Sequence, residues 1–335
     1  MDNILITGAS SFLGNRLSKA LLSTKTNQVH AIIRDQTLET RLADGFLKSN
    51  FHAYDGTLNS LRKTIDHVQP TLIYNLSSLY MRDTSSENIE AMVESNFLFG
   101  LKLLEVLKER DIKCNFINFG TYSQYFSEGD NYSFNMYSGL KNSFTEALNL
   151  YSEDIGLNNT NLILYDSYGP GDWRPKLLPL VRQAILQNNR ISLSEPDIII
   201  DITHIDDVVN ACILAKEKQI LTASENVFCV SGERYKISQL MELIEKIVGK
   251  KLALNVANTK QYKTFEEDTV QLALDVGFKH TDTWWLSLST QQGGSSTTTL
   301  DGESVDKKQE NRYLGKFERP NLSGRKFEPT FIFTK

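Results

Sequence analysis

The sequence predicts an α/β fold, a doubly wound parallel sheet followed by a smaller C-terminal α/β domain. Three observations predict it. Apolar runs of strand length alternate with amphipathic runs of helical period from residue 3 to about residue 250. A glycine-rich turn joins the first apolar run to the first amphipathic one. Small and hydroxyl residues close several later apolar runs, and a helical run then carries Tyr137 four places before Lys141. The expected boundaries are residues 1–165 for the sheet domain, its sheet completed by parts of 195–235, then 166–280 for a mainly substrate-binding domain and 281–335 for a low-complexity linker and tail.

A chain of 335 residues, 40% hydrophobic and 23% charged with a formal net charge of −5, has the balance of a soluble globular protein. It has no basic block, so nucleic acid is not an expected partner. No apolar run approaches the roughly 18 residues of a membrane span, and no membrane partner is expected. Residues 1–20 include the polar Asp2, Asn3, Ser10 and Ser11, and no export signal is read there. Cys114, Cys212 and Cys229 lie far apart with no Cys-x-x-Cys. That suggests buried packing in a reducing, cytoplasmic compartment, and no metal site.

Asn3–Thr7 reads as the first strand and Asn15–Ser23 as helix, with Gly8-Ala9-Ser10-Ser11-Phe12-Leu13-Gly14 between them. In that setting glycines let backbone approach a pyrophosphate at a helix N-terminus. The reading is the cofactor turn of a Rossmann-type domain, with Gly8, Ser10, Ser11, Phe12, Leu13 and Gly14 as its contacts; a ligand-free strand–helix turn is the alternative. The middle position holds Ser11, which can offer its N–H and hydroxyl but limits close approach.

Val29–Ile33 reads as the second strand, ending at Arg34-Asp35. An arginine there pairs with the 2′-phosphate of NADP, whereas an acid accepts from the 2′-hydroxyl of NAD. Arg34 comes first, so NADP is expected, with NAD as the alternative. Phe51–Tyr54 reads as a third strand, and Asp55-Gly56 at its end either meets the adenine amino group or makes a turn. Leu72–Ser78 reads as a fourth, laying Leu76, Ser77 and Ser78 along the cofactor. The helix Met92–Leu107 carries Asn96, either a holder of backbone or water near Lys141 or a plain helix residue.

The strand Cys114–Phe119 leads into Thr121, whose hydroxyl could bind an oxygen that Tyr137 protonates. Helical spacing puts Tyr137 and Lys141 on one face. A free phenol is a poor base at neutral pH, and a nearby ammonium favours the phenolate. Lowering a phenol by roughly 3 units requires about 4 kcal/mol of preferential stabilisation.

Together the TGASSFLG turn, the YNLSS strand, Asn96, Thr121 and Tyr137-x-x-x-Lys141 resemble the extended short-chain dehydrogenase/reductase family. Tyr165–Asp172 resembles its Y-G-P-G-D turn, and Asp201–Val209 its R-D-F-x-x-V-D-D-V segment. The resemblance implies an NAD(P)-dependent enzyme acting on nucleotide-activated sugars. It implies Tyr137 as acid/base, Lys141 as the residue that orients the nicotinamide ribose, and Thr121 on the reacting oxygen, with Asn96 in support. Substrate contacts are expected from Tyr80, Thr121, Tyr122, Asp166 and Lys176, the last against a diphosphate. The runs Phe119–Tyr125 and Tyr168–Leu177 look most like the CDP-paratose and CDP-abequose synthase group, 4-ketoreductases of O-antigen precursors. A homodimer through the helices near residues 92–108 and 137–153 is implied by the family alone.

In dehydratases of the family an Asp-Glu pair follows the active threonine; here Tyr122-Ser123 stands there. In its 3,5-epimerase/reductases a cysteine and a histidine move protons beside the ketone; here those places hold Ser123 and Lys176. Reduction and 4-epimerisation remain, since both need only hydride, Tyr137 and Thr121. Arg34 tilts the expectation to NADPH-dependent 4-ketoreduction. The rivals are an NAD-dependent 4-epimerase, a flavonoid- or steroid-type reductase, and a non-catalytic NADP-binding regulator, which would not need the acid/base.

Within the second domain, a helix is expected after Asp172, and Arg174 or Arg190 could replace the phosphate-binding arginine lost at Ile200. His204 reads as scaffolding, and Asp206-Asp207 as a cap on a helix Val208–Ala215. Asn226–Ser231 and Ile237–Val248 read as a strand and helix of the smaller domain. Gln291–Thr299 is low-complexity, and no role is read for the closing segment.

Overall fold

The computed structural model describes residues 2–24, 26–34, 42, 44–81, 85–125, 133, 135–193, 196, 198–217, 225–229, 234–256 and 333–334. In chain order the elements are β1 (Asp2–Thr7), α1 (Phe12–Ser23), β2 (Asn27–Ile33), β3 (Phe51–Ala53), α2 (Leu58–Val68), β4 (Leu72–Asn75), α3 (Ser86–Val93), α4 (Phe99–Glu109), β5 (Asn115–Thr121), α5 (Met136–Ile155) and β6 (Asn158–Leu164). There follow β7 (Asp166–Tyr168), α6 (Leu177–Gln187), β8 (Ile191–Leu193), β9 (Ile199–His204), α7 (Ile205–Glu217), β10 (Glu225–Cys229), β11 (Arg234–Lys236), α8 (Ile237–Val248), β12 (Leu254–Val256) and β13 (Phe333–Thr334). The chain forms two compact units, one of residues 1–164, 208–228 and 332–335, the other of 165–207 and 229–331.

The first unit is built on one sheet with the strand order β13-β10-β6-β5-β4-β1-β2-β3. From β3 to β6 all pairings are parallel, the 3-2-1-4-5-6 order of a doubly wound fold. Parallel strands covered on both faces need apolar side chains throughout, and Ile4, Leu5 and Ile6 of β1 are fully buried. The order reverses between β1 and β4, so the crevice beyond their carboxyl ends is where such a fold takes its ligand. β1 runs into the glycine turn there and β4 into Leu76-Ser77-Ser78. These three residues, expected inside a strand, follow its end at Asn75.

The expected helix Met92–Leu107 starts earlier, at Ser86, and reaches Glu109 through a single π turn at Glu94–Leu98. Gly100 in α4 brings α5 close. A Cβ at that position would lie 2.2 Å from the ring of Phe144, which is buried on α5. That close packing sets the position of the helix bearing Tyr137 and Lys141.

The second unit has a three-stranded sheet, β11-β9-β7, and a parallel pair, β12 with β8. Its core joins Tyr168, Leu178, Val181, Ile202, Leu240 and Ile244. Two expectations are corrected. The strand read at Asn226–Ser231 is β10, which pairs in the large sheet beside β6 rather than in the smaller unit. The helix read from Val208 begins at Ile205, so Asp206 and Asp207 occupy its first turn, where the helix dipole favours anions, instead of capping it. Of the tail, only β13 lies among the described residues; it pairs antiparallel with Asn226 and Val227. Cys114, Cys212 and Cys229 are buried, as expected.

Candidate active site

The turn after β1 is shaped by two glycines. Gly8 has φ +68°, a left-handed conformation that favours glycine, and a Cβ on it would lie 2.8 Å from the backbone of Leu76. A Cβ on Gly14 would lie 2.2 Å from the Gly8 carbonyl oxygen. Ser11 is the N-cap of α1. Its N–H donates to Gly8 O at 2.9 Å, its Oγ accepts the Gly14 N–H at 3.0 Å, and its carbonyl accepts the Asn15 N–H at 2.8 Å. The expectation that Ser11 offers its N–H to a ligand is therefore corrected, because the turn itself uses that group. The N–H of Leu13 carries no hydrogen bond among the described residues and lies at the positive end of α1. Phe12, Leu13 and Gly14 are buried in the first turn, with Ser10 in the loop before it.

A polar chain absent from the sequence reading crosses the sheet beneath this turn. The N–H of Ser77 donates to Thr7 Oγ1 at 3.0 Å, and Thr7 donates to Asn75 Oδ1 at 3.0 Å. Asn75 then donates to Asn118 at 3.1 Å, and Asn118 to Asn161 at 2.8 Å. Thr7, Asn75, Asn118 and Asn161 are register partners on β1, β4, β5 and β6. The chain fixes the loop after β4 to the sheet. Its only prior signal was an asparagine placed alike in three apolar runs.

That loop meets α5 at Tyr137. The Tyr137 hydroxyl lies 3.1 Å from Ser78 Oγ, and Ser78 Oγ donates to Asn96 Oδ1 at 3.2 Å. A serine hydroxyl has one proton, so with that proton on Asn96 the bond to Tyr137 is one in which the phenol donates. Asn96 is 4% exposed and uses its whole capacity. Its Oδ1 also accepts the Leu79 N–H at 3.0 Å, while its Nδ2 donates to Leu79 O at 2.8 Å and Met92 O at 2.9 Å. Of the roles read for Asn96, holding backbone is the one seen, and the backbone is that of the Ser78–Leu79 loop. The π turn carries this side chain; such turns are frequent at functional sites. Tyr80, 58% exposed, sets its ring edge-to-face on Tyr137 with centroids 5.4 Å apart.

Thr121 closes β5. Its hydroxyl lies 3.1 Å from Ser123 Oγ and caps a short 3₁₀ turn over Tyr122–Gln124, while its N–H donates to Gln124 Oε1 at 2.7 Å. The β5 strand and this turn both pack on α5, but no bond joins Thr121 to Tyr137 among the described residues. Lys141 is 3% exposed, has no ion pair among the described residues, and is pulled down to about 8 by burial alone. A buried ammonium with no anion beside it fits a residue whose partners are ligand hydroxyls. Together with the glycine cradle, this fits a dinucleotide, whose nicotinamide would supply or accept a hydride when bound.

The remaining predicted residues stand on other elements. Arg34 is exposed just past β2, and Asp35 lies outside the described residues. Asp55 is exposed after β3 and accepts from the N–H and hydroxyl of Thr57 at 3.0 and 2.6 Å. The Thr57 hydroxyl is the main cause that lowers its carboxyl to about 2, and Gly56 beside it has φ +92°. In the second unit, Lys176 pairs with Asp166 at 2.7 Å. Both are expected on substrate, and without one they pair with each other. Arg174 donates to Asp172 Oδ2 at 2.7 Å and to Ser167 O at 2.6 Å. His204 is buried edge-to-face on Tyr168, as scaffolding. No described helix is long and apolar enough to cross a membrane.

Comparison with known proteins decides the family. Residues 4–230 match the model of the NAD dependent epimerase/dehydratase family. The chain belongs to that family. Among epimerase/dehydratase relatives it is 28% identical over 212 residues to a CDP-abequose synthase of Yersinia pseudotuberculosis, covering 62% of this chain and 71% of that one. It is 27% identical to UDP-glucuronate 4-epimerase 1 of Arabidopsis thaliana, covering 63% of this chain and 54% of the relative. Solved epimerase/dehydratase structures share the fold. The dTDP-glucose 4,6-dehydratase of Bacillus anthracis has TM-score 0.71 at 18% identity, covering 87% of this chain and 96% of that one. The UDP-glucuronic acid 4-epimerase of Bacillus cereus has TM-score 0.70 at 20% identity, covering 86% and 99%. This epimerase/dehydratase relative is thus an NAD(P)-dependent enzyme on a Rossmann-type fold, as the sequence implied.

Proposed function

We propose that the chain reduces the C4 ketone of a nucleotide-activated, CDP-linked deoxyhexose with NADPH, for surface polysaccharide precursors. The observation that carries the reading is the make-up of the Thr121 turn. Tyr122 and Ser123 stand where a dehydratase has its carboxylates, and Ser123 Oγ is engaged with Thr121. Neither can take or give a proton as a carboxyl group does at neutral pH. That leaves Tyr137 to move the proton, as ketone reduction and 4-epimerisation both require, and Arg34 tilts the choice to reduction.

In this reading Tyr137 turns its proton from Ser78 to the forming C4 alkoxide, Thr121 donates to the same oxygen, and the Lys141 ammonium holds ribose hydroxyls and steadies the phenolate left behind. Bound NADPH would supply the hydride. Arg34, exposed at the end of β2, would take the 2′-phosphate. The similarity to a CDP-abequose synthase supports the CDP-linked substrate.

A second reading, an NAD-dependent 4-epimerase, draws support from the likeness to UDP-glucuronate 4-epimerases. Cofactor oxidation separates the two. NADPH consumption with a CDP-, dTDP- or GDP-linked 4-keto-6-deoxyhexose is expected; no turnover with any of them, alongside tightly co-purified NAD⁺, overturns the reductase reading. A homodimer belongs to the same proposal, since Leu98 and Leu150 are exposed at 38% and 70% on the helices the family pairs; a monomeric mass in solution overturns it.

A further inference from the structure

Three of the chain's five histidines, none read as a site from the sequence, sit together in the first unit on elements that carry no residue of the Tyr137 cluster. His30 is buried on β2, His52 half-buried on β3, and His67 exposed in the last turn of α2. One ring nitrogen from each lies within 4.8 Å of the others. His30 Nδ1 and His52 Nε2 are 3.1 Å apart, and the ring centroids are separated by 5.3, 5.4 and 6.1 Å. Two imidazole nitrogens on one tetrahedral zinc ion, with bonds near 2.0–2.1 Å, stand about 3.3 Å apart. The His30–His52 pair already has that separation, and a small turn of the exposed His67 ring would bring in the third.

We propose that His30, His52 and His67 bind a divalent transition-metal ion of the zinc type, with solvent at the remaining position. The donor set decides the class of ion. Three imidazoles with no carboxylate select zinc, cobalt, nickel or copper and not magnesium or calcium. Asp66, next to His67 in the chain, is committed to Arg110 at 2.7 Å. The exposed His67 gives an entry path. The bland alternative is an imidazole–imidazole hydrogen bond between His30 and His52, but it gives His67 no task and no reason to face them.

The bound ion would clip the three-residue edge strand β3 and the end of α2 to β2. The test is a Co²⁺ titration of untagged protein, read by visible ligand-field absorption, with a thermal melt in Zn²⁺ as second readout. The wild type should take up one equivalent of Co²⁺ and melt at higher temperature in Zn²⁺. His67→Ala should weaken Co²⁺ binding by more than about 100-fold, beyond the roughly 10–100-fold that an outer-sphere change costs. It should also erase the Zn²⁺ shift, and His67→Gln serves if the alanine variant does not fold. Equal Co²⁺ affinity in wild type and variant, or no saturation of the wild type below millimolar Co²⁺, overturns the proposal.

Discussion

The Tyr137 hydroxyl lies 3.1 Å from that of Ser78, and this contact joins the Tyr-x-x-x-Lys helix to the loop after β4. Because Ser78 gives its own proton to Asn96, Tyr137 is held as a donor, its proton aimed at Ser78 until a substrate oxygen replaces it. Ser78→Ala should lower kcat about 5-fold, the worth of one neutral hydrogen bond of roughly 1 kcal/mol, with KM for the cofactor little changed. Ser78→Thr should restore most of the rate. Steady-state kinetics of the three proteins check this.

Asn96 is predicted to matter through donation as much as acceptance. Asn96→Asp keeps the acceptor for Leu79 N–H and Ser78 but cannot donate to Leu79 O and Met92 O, and it sets an anion against two carbonyls. It should destabilise the protein by about 2–3 kcal/mol, no less than Asn96→Ala, because a buried group left unpaired bears its full desolvation penalty. A fall in the urea midpoint measures it.

Lys141 supplies a pH dependence. Its folded pKa of about 8 lies below the 10.5 of an ordinary lysine. Between those values the unfolded chain holds more protons, so ligand-free stability rises with pH across the window. Below pH 8 the buried charge costs its full amount, about 3 kcal/mol. Lys141→Met should therefore be more stable than wild type at pH 7 while inactive, and the difference should close by pH 10.5. Denaturation curves of both proteins at pH 7, 9 and 10.5 test the sign.

Gly100→Ala should act at a distance. Its new methyl would enter the Phe144 ring, an overpacking worth about 1–3 kcal/mol, and would push on the helix that carries Tyr137. Adding Phe144→Leu should recover part of both stability and kcat, a coupling that a double-mutant cycle measures.

The strands, the glycine turn and the Tyr137 helix were legible because periodicity and glycine placement are local properties. Relations between segments were not. Asn96 reads as one polar residue on an apolar helix, and only the π turn, with no sequence mark, presents it to Leu79. The Thr7–Asn75–Asn118–Asn161 chain depends on the register of four strands. The histidines of β2, β3 and α2 follow no ligand spacing; the parallel pairing of Ile32 with His52 brings the first two together. The pairing of Lys176 with Asp166, ten residues away, was not legible either, since it depends on how the turn between them folds.

The most direct test of the central claim follows the hydride. A CDP-4-keto-6-deoxyhexose is incubated with the enzyme and NADPH deuterated at the transferable position of the nicotinamide. One deuterium at the sugar's C4 for each NADPH oxidised is predicted, with none from Tyr137→Phe even though that variant still binds NADPH. Conversion of the sugar with no NADPH oxidised and no deuterium at C4 would contradict the account.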